Sequence, residues 1–162
     1  MAFFQTPPRL GNQFDDDRVL RSVLTRLLPE LERPRVFEEA RALGELAGGE
    51  LFELQQKDRL NEPVLTQWDP WGHRIDEIEV TDLWKRCATI AAEYGLVAHA
   101  YGRELGALSR VHQFALAYLF DASSDVYSCP LAMTDGAAAT LKFHGGPAYE
   151  HAFPKLDRKS VV

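Results

Sequence analysis

The chain has 162 residues, 46% hydrophobic and 26% charged, with a formal net charge of −6. Those proportions are ordinary for a soluble domain, and the length suffices to bury roughly 68–70% of the unfolded surface. The acidic balance argues against non-specific binding to nucleic acid or anionic membranes, and the two distant cysteines, Cys87 and Cys129, make no disulfide framework.

Residues 1–14 read as an extended arm. Pro7 and Pro8 forbid regular helix, and Phe3, Phe4 and Phe14 are too apolar for a free tail, so the arm is expected to pack on something. Asp15-Asp16-Asp17 opens a helix as cap and first-turn acids, not as a metal site, because consecutive helix positions point in different directions. Leu20, Val23, Leu24, Leu27 and Leu28 follow at helical spacing, and Pro29 and Pro34 punctuate what comes next. Residues 36–46 repeat the pattern through Val36, Ala40 and Leu43, with Gly48-Gly49 as the stop. Residues 50–60 predict a further short helix.

Residues 64–80 differ, alternating apolar and polar side chains around Asp69-Pro70-Trp71-Gly72. Asp before Pro, with Gly two residues later, signals a turn, so a small hairpin is expected there. Trp68, Trp71 and Trp84 read as core or interface packing. Base stacking is disfavoured by the acids beside them, Asp69, Asp76, Glu77 and Glu79.

Thr81 is a good N-cap for a helix whose stripe is Leu83, Trp84, Cys87, Ile90, Ala91 and Tyr94, with Gly95 at its end. Residues 97–102 are ambiguous. Residues 105–120 carry the longest helical pattern, with Leu108, Val111, Phe114, Ala115, Tyr118 and Leu119 inward. Residues 122–125 break it. Pro130 suggests an irregular start for 127–134, an alanine-rich helix spans 135–143, and Gly145-Gly146-Pro147 stops it before a last short helix at 148–156. The expected fold is mainly α: a helical domain over 15–156, one small hairpin, and a tail at 157–162.

The chemistry-bearing residues form no catalytic motif. His73, His99, His112, His144 and His151 show no His-Glu-x-x-His or cysteine–histidine spacing, so no metal site is read from them. Dinucleotide, Walker and nucleophile-elbow motifs are missing from the sequence. Cys87 lies on an apolar helix face and reads as a structural thiol. Cys129, in Ser-Cys-Pro at a helix entry, could gain thiolate character from the helix dipole, too little to assign a reaction. No leader of basic-then-apolar type opens the chain and charges interrupt every long apolar run, so a cytoplasmic soluble protein is expected.

Two segments carry a family resemblance. Gln67-Trp68-Asp69-Pro70-Trp71-Gly72-His73-Arg74, with the acids that follow and the helix start Thr81-Asp82-Leu83-Trp84, is one. Ser128-Cys129-Pro130-Leu131-Ala132-Met133-Thr134 is the other. Together they resemble the N-terminal region of acyl-CoA dehydrogenase-like flavoproteins of the adaptive response protein AidB type. That family has Tyr-Asp-x-x-Gly-x-Arg, a His-Pro-x-Trp helix start and Cys-Pro-x-x-Met-Thr. Trp68 stands here for the tyrosine and Thr81-Asp82 for His-Pro. The arm, with Phe4-Gln5, Pro7-Pro8 and Asn12, is similar to the family's leader.

The resemblance implies a helical N-terminal domain that walls one side of an acyl pocket and takes part in subunit packing. In full-length members FAD sits on a middle β domain, and a C-terminal bundle supplies the glutamate base and, in AidB, the DNA-binding surface. Met133-Thr134 is not followed by the family's flavin motif, so no catalytic, cofactor-binding or metal residue carries over. The chain alone is expected to hold no flavin and to oxidise no acyl-CoA. The expected pocket wall is Cys129, Leu131, Met133 and Thr134, beside the small Gly136, Ala137, Ala138 and Ala139. The expected partner is the flavin domain or a second copy, with no membrane and no nucleic acid bound through this region. The alternative is a stand-alone protein-interaction module that keeps the fold without flavin chemistry.

Overall fold

The computed structural model describes residues 3–147. The elements are α1 (Gln13–Asp16), α2 (Arg18–Leu27), α3 (Arg33–Gly48), α4 (Glu50–Asp58), β1 (Val64–Trp68), β2 (Arg74–Glu79), α5 (Asp82–Glu93), α6 (Ala98–Gly102), α7 (Ser109–Asp121) and α8 (Ser128–His144). Short 3-10 turns, Gly106–Leu108 and Asp125–Tyr127, lead into α7 and α8. The fold is mainly α, with a single antiparallel pair, β1–β2, among the described residues. The expected helix at 148–156 and the tail at 157–162 lie outside them. No described helix is long and apolar enough to cross a membrane.

Helix α3 is the spine, contacting α1, α4 and α7. Its buried side chains, Val36, Ala40 and Leu43, meet Phe14, Leu24 from α2, and Leu116 and Phe120 from α7 in one core. The arm docks through its last residues. Asn12 Oδ1 accepts from the backbone N–H of Phe14 and Asp15, while its Nδ2 donates to the Arg41 carbonyl at 2.9 Å and to Glu45. Asp15 accepts from Arg41 Nε at 3.0 Å. Phe14 is fully buried, edge-on to Phe37 at 5.1 Å.

That approach depends on two glycines of α3. A Cβ on Gly44 would lie 2.6 Å from the Phe14 nitrogen, and one on Gly48 would collide with the Gly11 carbonyl oxygen. Only hydrogen at these positions lets the backbones meet. The arm is shorter than expected: residues 13–16 already form a helical turn, because Asn12 supplies a cap. Phe3 and Phe4 remain exposed, and Asp17, accepting from the Leu20 N–H, is the residue that caps α2.

The hairpin pairs Val64 with Glu79 and Trp68 with Arg74, with an irregularity between Thr66 and Trp68. Asp69 builds its turn: it accepts from the N–H groups of Trp71 and His73 and contacts His73 Nδ1 at 2.9 Å, while Gly72 takes φ 84. Every residue of both strands is exposed. Of core or interface packing, Trp68 and Trp71 are therefore not core residues; Trp84 is half-buried against the core, edge-on to Tyr127 at 5.0 Å. Asp58 holds the base of the hairpin: its carboxylate accepts from Leu83 N–H at 2.8 Å and Asn61 Nδ2 at 3.0 Å, tying the end of α4 to the start of α5.

The C-terminal half refines the expectations. The ambiguous segment is the short α6, ended by Arg103 in the left-handed conformation at φ 54. Helix α8 begins at Ser128 and runs through Pro130 without a break. Pro130 is its third residue, where the missing N–H had no intrahelical acceptor to lose. Cys87 is buried beneath the Asp125–Tyr127 turn, and burial, then the nearby Asp125, push its thiol up to about 12. It is an inert structural thiol, whereas Cys129 is exposed.

Candidate functional site

A groove of about 300 Å³ runs between α7 and α8. Helix α7 contributes Gln113, Phe114, Ala117, Tyr118 and Asp121, and α8 contributes Ser128, Leu131, Ala132 and Asp135. Both sets recur at helical spacing, so each is one face of its helix. The chain before α6 closes one end with Leu96 and Val97. Ala117 and Ala132 open the space; Phe114 and Tyr118 flank it and stay more than half exposed. Tyr118 is fixed by donating to Asp17 Oδ2 at 2.9 Å.

One polar end of the groove is organised by Asp135. It accepts from Tyr101 Oη at 2.6 Å and from Arg110 Nη1 at 2.6 and 2.8 Å, and Arg110 lies over the Tyr101 ring at 5.0 Å. Burial, then the Asp135 hydrogen bond, push the Tyr101 phenol up to about 12, so Tyr101 stays a donor. The network ties α6, α7 and α8 together. It also occupies the Asp135 carboxylate, which is positioned to hold the helices and not to abstract a proton.

Of the four residues expected to wall a pocket, Leu131 lines this groove. Thr134 is buried and donates back to the Pro130 carbonyl at 2.8 Å. Cys129 and Met133 lie on the exposed flank of α8, outside the groove lining. The α7 residues were expected in the core. Phe114 and Tyr118 instead form a second apolar face, which the great width of the α7 stripe could have signalled.

A second cluster joins residues far apart in sequence. Glu39 of α3, His99 of α6 and His112 of α7 meet inside the body. Glu39 Oε1 is 3.0 Å from His99 Nε2, and Oε2 is 2.8 Å from His112 Nε2. The two imidazoles face each other at 4.1 Å. Burial alone would raise the Glu39 carboxyl; the ring nitrogens of His112 and His99 outweigh it and hold the group down to about 2. No metal-ligand spacing links these histidines along the chain, since only tertiary packing brings them together.

Comparison with known proteins bears on the family and the fold. The family model of the adaptive response protein AidB N-terminal domain matches residues 5–160. Acyl-CoA dehydrogenase family member 11 of Caenorhabditis elegans is 39% identical over 141 residues, covering 86% of this chain and 23% of that protein. Among solved structures, the apo-form of Bd2924 superposes with a TM-score of 0.89 at 40% identity, over 98% of this chain and 32% of its own. Caenorhabditis elegans ACDH-11 in complex with C11-CoA gives 0.86 at 34% identity, over 98% and 28%. The chain thus spans between about a quarter and a third of the length of these relatives.

Proposed function

The chain belongs to the family of the adaptive response protein AidB N-terminal domain, and on that premise we propose that it is the helical wall of an acyl-CoA dehydrogenase-type flavoprotein. The α7–α8 groove would take part of an acyl chain. The observation that carries this reading is the groove itself, an apolar channel between rigid helices whose polar residues stand at its two ends, Gln113 with Asp135 and Asp121 with Ser128. A relative that shares the fold over 98% of this chain is described in complex with C11-CoA, a ligand with a long apolar tail. Such a tail is recognised by area, at about 0.8 kcal/mol per buried methylene.

The groove lies at the small end of the volumes that hold ligands and is open along one side. It therefore needs an opposing surface, and the exposed Phe114, Tyr118 and Met133 are apolar enough to meet one. A flavin does not fit it. The lining offers two carboxylates, Asp121 and Asp135, and no cation to receive a pyrophosphate. We assign the redox chemistry to a flavin-bearing part that docks on this face, and to this chain the shaping of the acyl site and the exclusion of water.

The test is isotope-labelled amide NMR of the chain with C11-CoA. Shifts confined to Leu96, Val97, Ala117, Leu131 and Ala132, lost in Ala117→Trp, support the groove. Equal shifts with coenzyme A lacking the acyl chain, or shifts unaffected by Ala117→Trp, reject it. Met133→Glu sharpens the docking half of the reading. It should reduce self-association on size-exclusion chromatography while leaving the thermal melt in place. A variant that unfolds would instead make Met133 a core residue.

A second reading, a protein-interaction module without flavin chemistry, draws on the hairpin, whose apolar side chains are exposed on both faces. A flavin domain encoded in or beside the same reading frame favours the first reading; a chain that captures no such domain when the two are co-expressed favours the second.

A further inference from the structure

The Glu39–His99–His112 cluster is not required by the acyl groove, and hydrogen bonding explains it only in part. His112 is 1% exposed, and its Nε2 has no hydrogen-bond partner at an acceptable angle although Glu39 Oε2 is 2.8 Å away. Buried polar atoms are seldom left this way without a reason. At 2.8 Å the separation is short enough, so it is the direction of the His112 Nε2 site that misses the carboxylate.

The space between the three side chains suits a cation. One carboxylate oxygen and the two imidazole nitrogens all lie within 4.8 Å of one another. Ligand atoms around tetrahedral Zn²⁺ stand about 3.3 Å apart, given metal–ligand distances near 2.0–2.1 Å. Glu39 Oε1 stands 3.0 Å from His99 Nε2 and Oε2 2.8 Å from His112 Nε2, each a few tenths of an ångström shorter, so side-chain rotation brings one oxygen to both nitrogens. The three residues stand on three packed helices, as an ordered site requires. Glu39 and His99 keep about a quarter and a fifth of their side-chain surface exposed, which leaves a route in.

We propose that Glu39, His99 and His112 bind a divalent transition metal of the Zn²⁺ type. Two imidazoles and one carboxylate are borderline donors that select such ions over Mg²⁺ and Ca²⁺, which prefer all-oxygen sites. The metal neutralises the half-buried carboxylate and joins α3, α6 and α7. Val97, just before α6, and Phe114, two residues beyond His112, line the acyl groove, so the metal also braces one end of that groove. The proposal does not depend on the acyl reading, because its test reads metal and not lipid.

The 162-residue chain, carrying Cys129→Ser to remove the exposed thiol, is stripped with chelator and titrated with Zn²⁺ by calorimetry and with Co²⁺ by visible absorption. One equivalent should bind, raising the thermal midpoint, and Zn²⁺ should bleach the cobalt bands. Glu39→Gln and His99→Gln should weaken binding by at least about 100-fold, the upper range for losing even an outer partner of a metal site, with circular dichroism unchanged. Should both variants unfold, histidine-ring NMR of the unsubstituted chain decides. Zn²⁺ must move the His99 and His112 signals and spare His73, His144 and His151. No stoichiometric binding at micromolar metal, undiminished binding by the folded variants, or shifts at the other histidines would overturn the site.

Discussion

The junction of the arm with α3 and the β1–β2 hairpin are both short segments attached to long helices, yet they are built in opposite ways. At the junction there is no room for one methyl group: Gly44 and Gly48 meet the backbone of residues 11–14, and Phe14 is sealed beneath. In the hairpin every strand residue faces solvent, and its shape rests on the turn around Asp69 and on its own pairing. The junction is specified by long-range packing and serves the chain's own stability. The hairpin is specified locally, and its apolar surface remains free for something outside the described residues.

The largest effect should come from breaking the junction. Gly44→Ala gains about 1 kcal/mol of helix propensity but drives a Cβ to 2.6 Å from the Phe14 nitrogen, a backbone atom that cannot swing aside. Overpacking of this kind costs about 3 kcal/mol, so a net loss of about 2 kcal/mol is expected in urea unfolding. An unchanged midpoint would show that the arm contributes nothing to the body.

The pH dependence of the buried cluster ranks next. Glu39 is held down to about 2 from 4.5, so its share of stability is fully present above pH 4.5 and is lost as pH falls toward 2. The gap in urea midpoint between the unsubstituted chain and Glu39→Gln should be widest near neutrality and close across that window. A gap that stays constant with pH would mean that Glu39 acts by packing and not by charge. Loading the site with Zn²⁺ should widen the gap at neutral pH.

How much of this was legible follows from which signals are local. The stripes of α3, α5 and α7 and the Thr81 cap of α5 stand in the sequence because they depend on spacing alone, and so does the Asp69 turn. The family was legible in two motif-bearing segments that bracket α5, α6 and α7. Pro130 misled because a proline reads as a helix breaker until its position in the first turn is known. Phe114 and Tyr118 read as core residues because periodicity reports that a face is apolar, not what it meets. Gly44 looked like any helix glycine, and the Glu39 cluster was invisible, since its members come from three helices and share no spacing.

Within the hairpin, Asp69→Ala tests local specification. It removes the acceptor for two backbone N–H groups of the turn, so the β1–β2 cross-strand contacts should weaken on NMR. The thermal midpoint of the body should not move, because the strands bury nothing against it. A shift of the body's melt would show that the two regions are coupled.

The smallest effect on the chain itself is expected from Trp71→Ser. Trp71 is 81% exposed at the tip of the turn, and its backbone N–H, not its ring, makes the turn hydrogen bond. Surface changes of this kind stay within about 0.5 kcal/mol, and losing an exposed indole raises solubility if anything. Its consequence should appear only in association. Aromatic side chains dominate interface energetics through their area, and Trp is prominent among the residues whose truncation costs most when a partner covers them. Trp71→Ser should therefore leave folding untouched while weakening capture of a co-expressed flavin domain, or self-association, by about tenfold or more. If Met133→Glu disrupts the same association, the hairpin and α8 belong to one docking surface. If each disrupts a different one, the hairpin meets a separate partner, and the interaction-module reading gains its own surface.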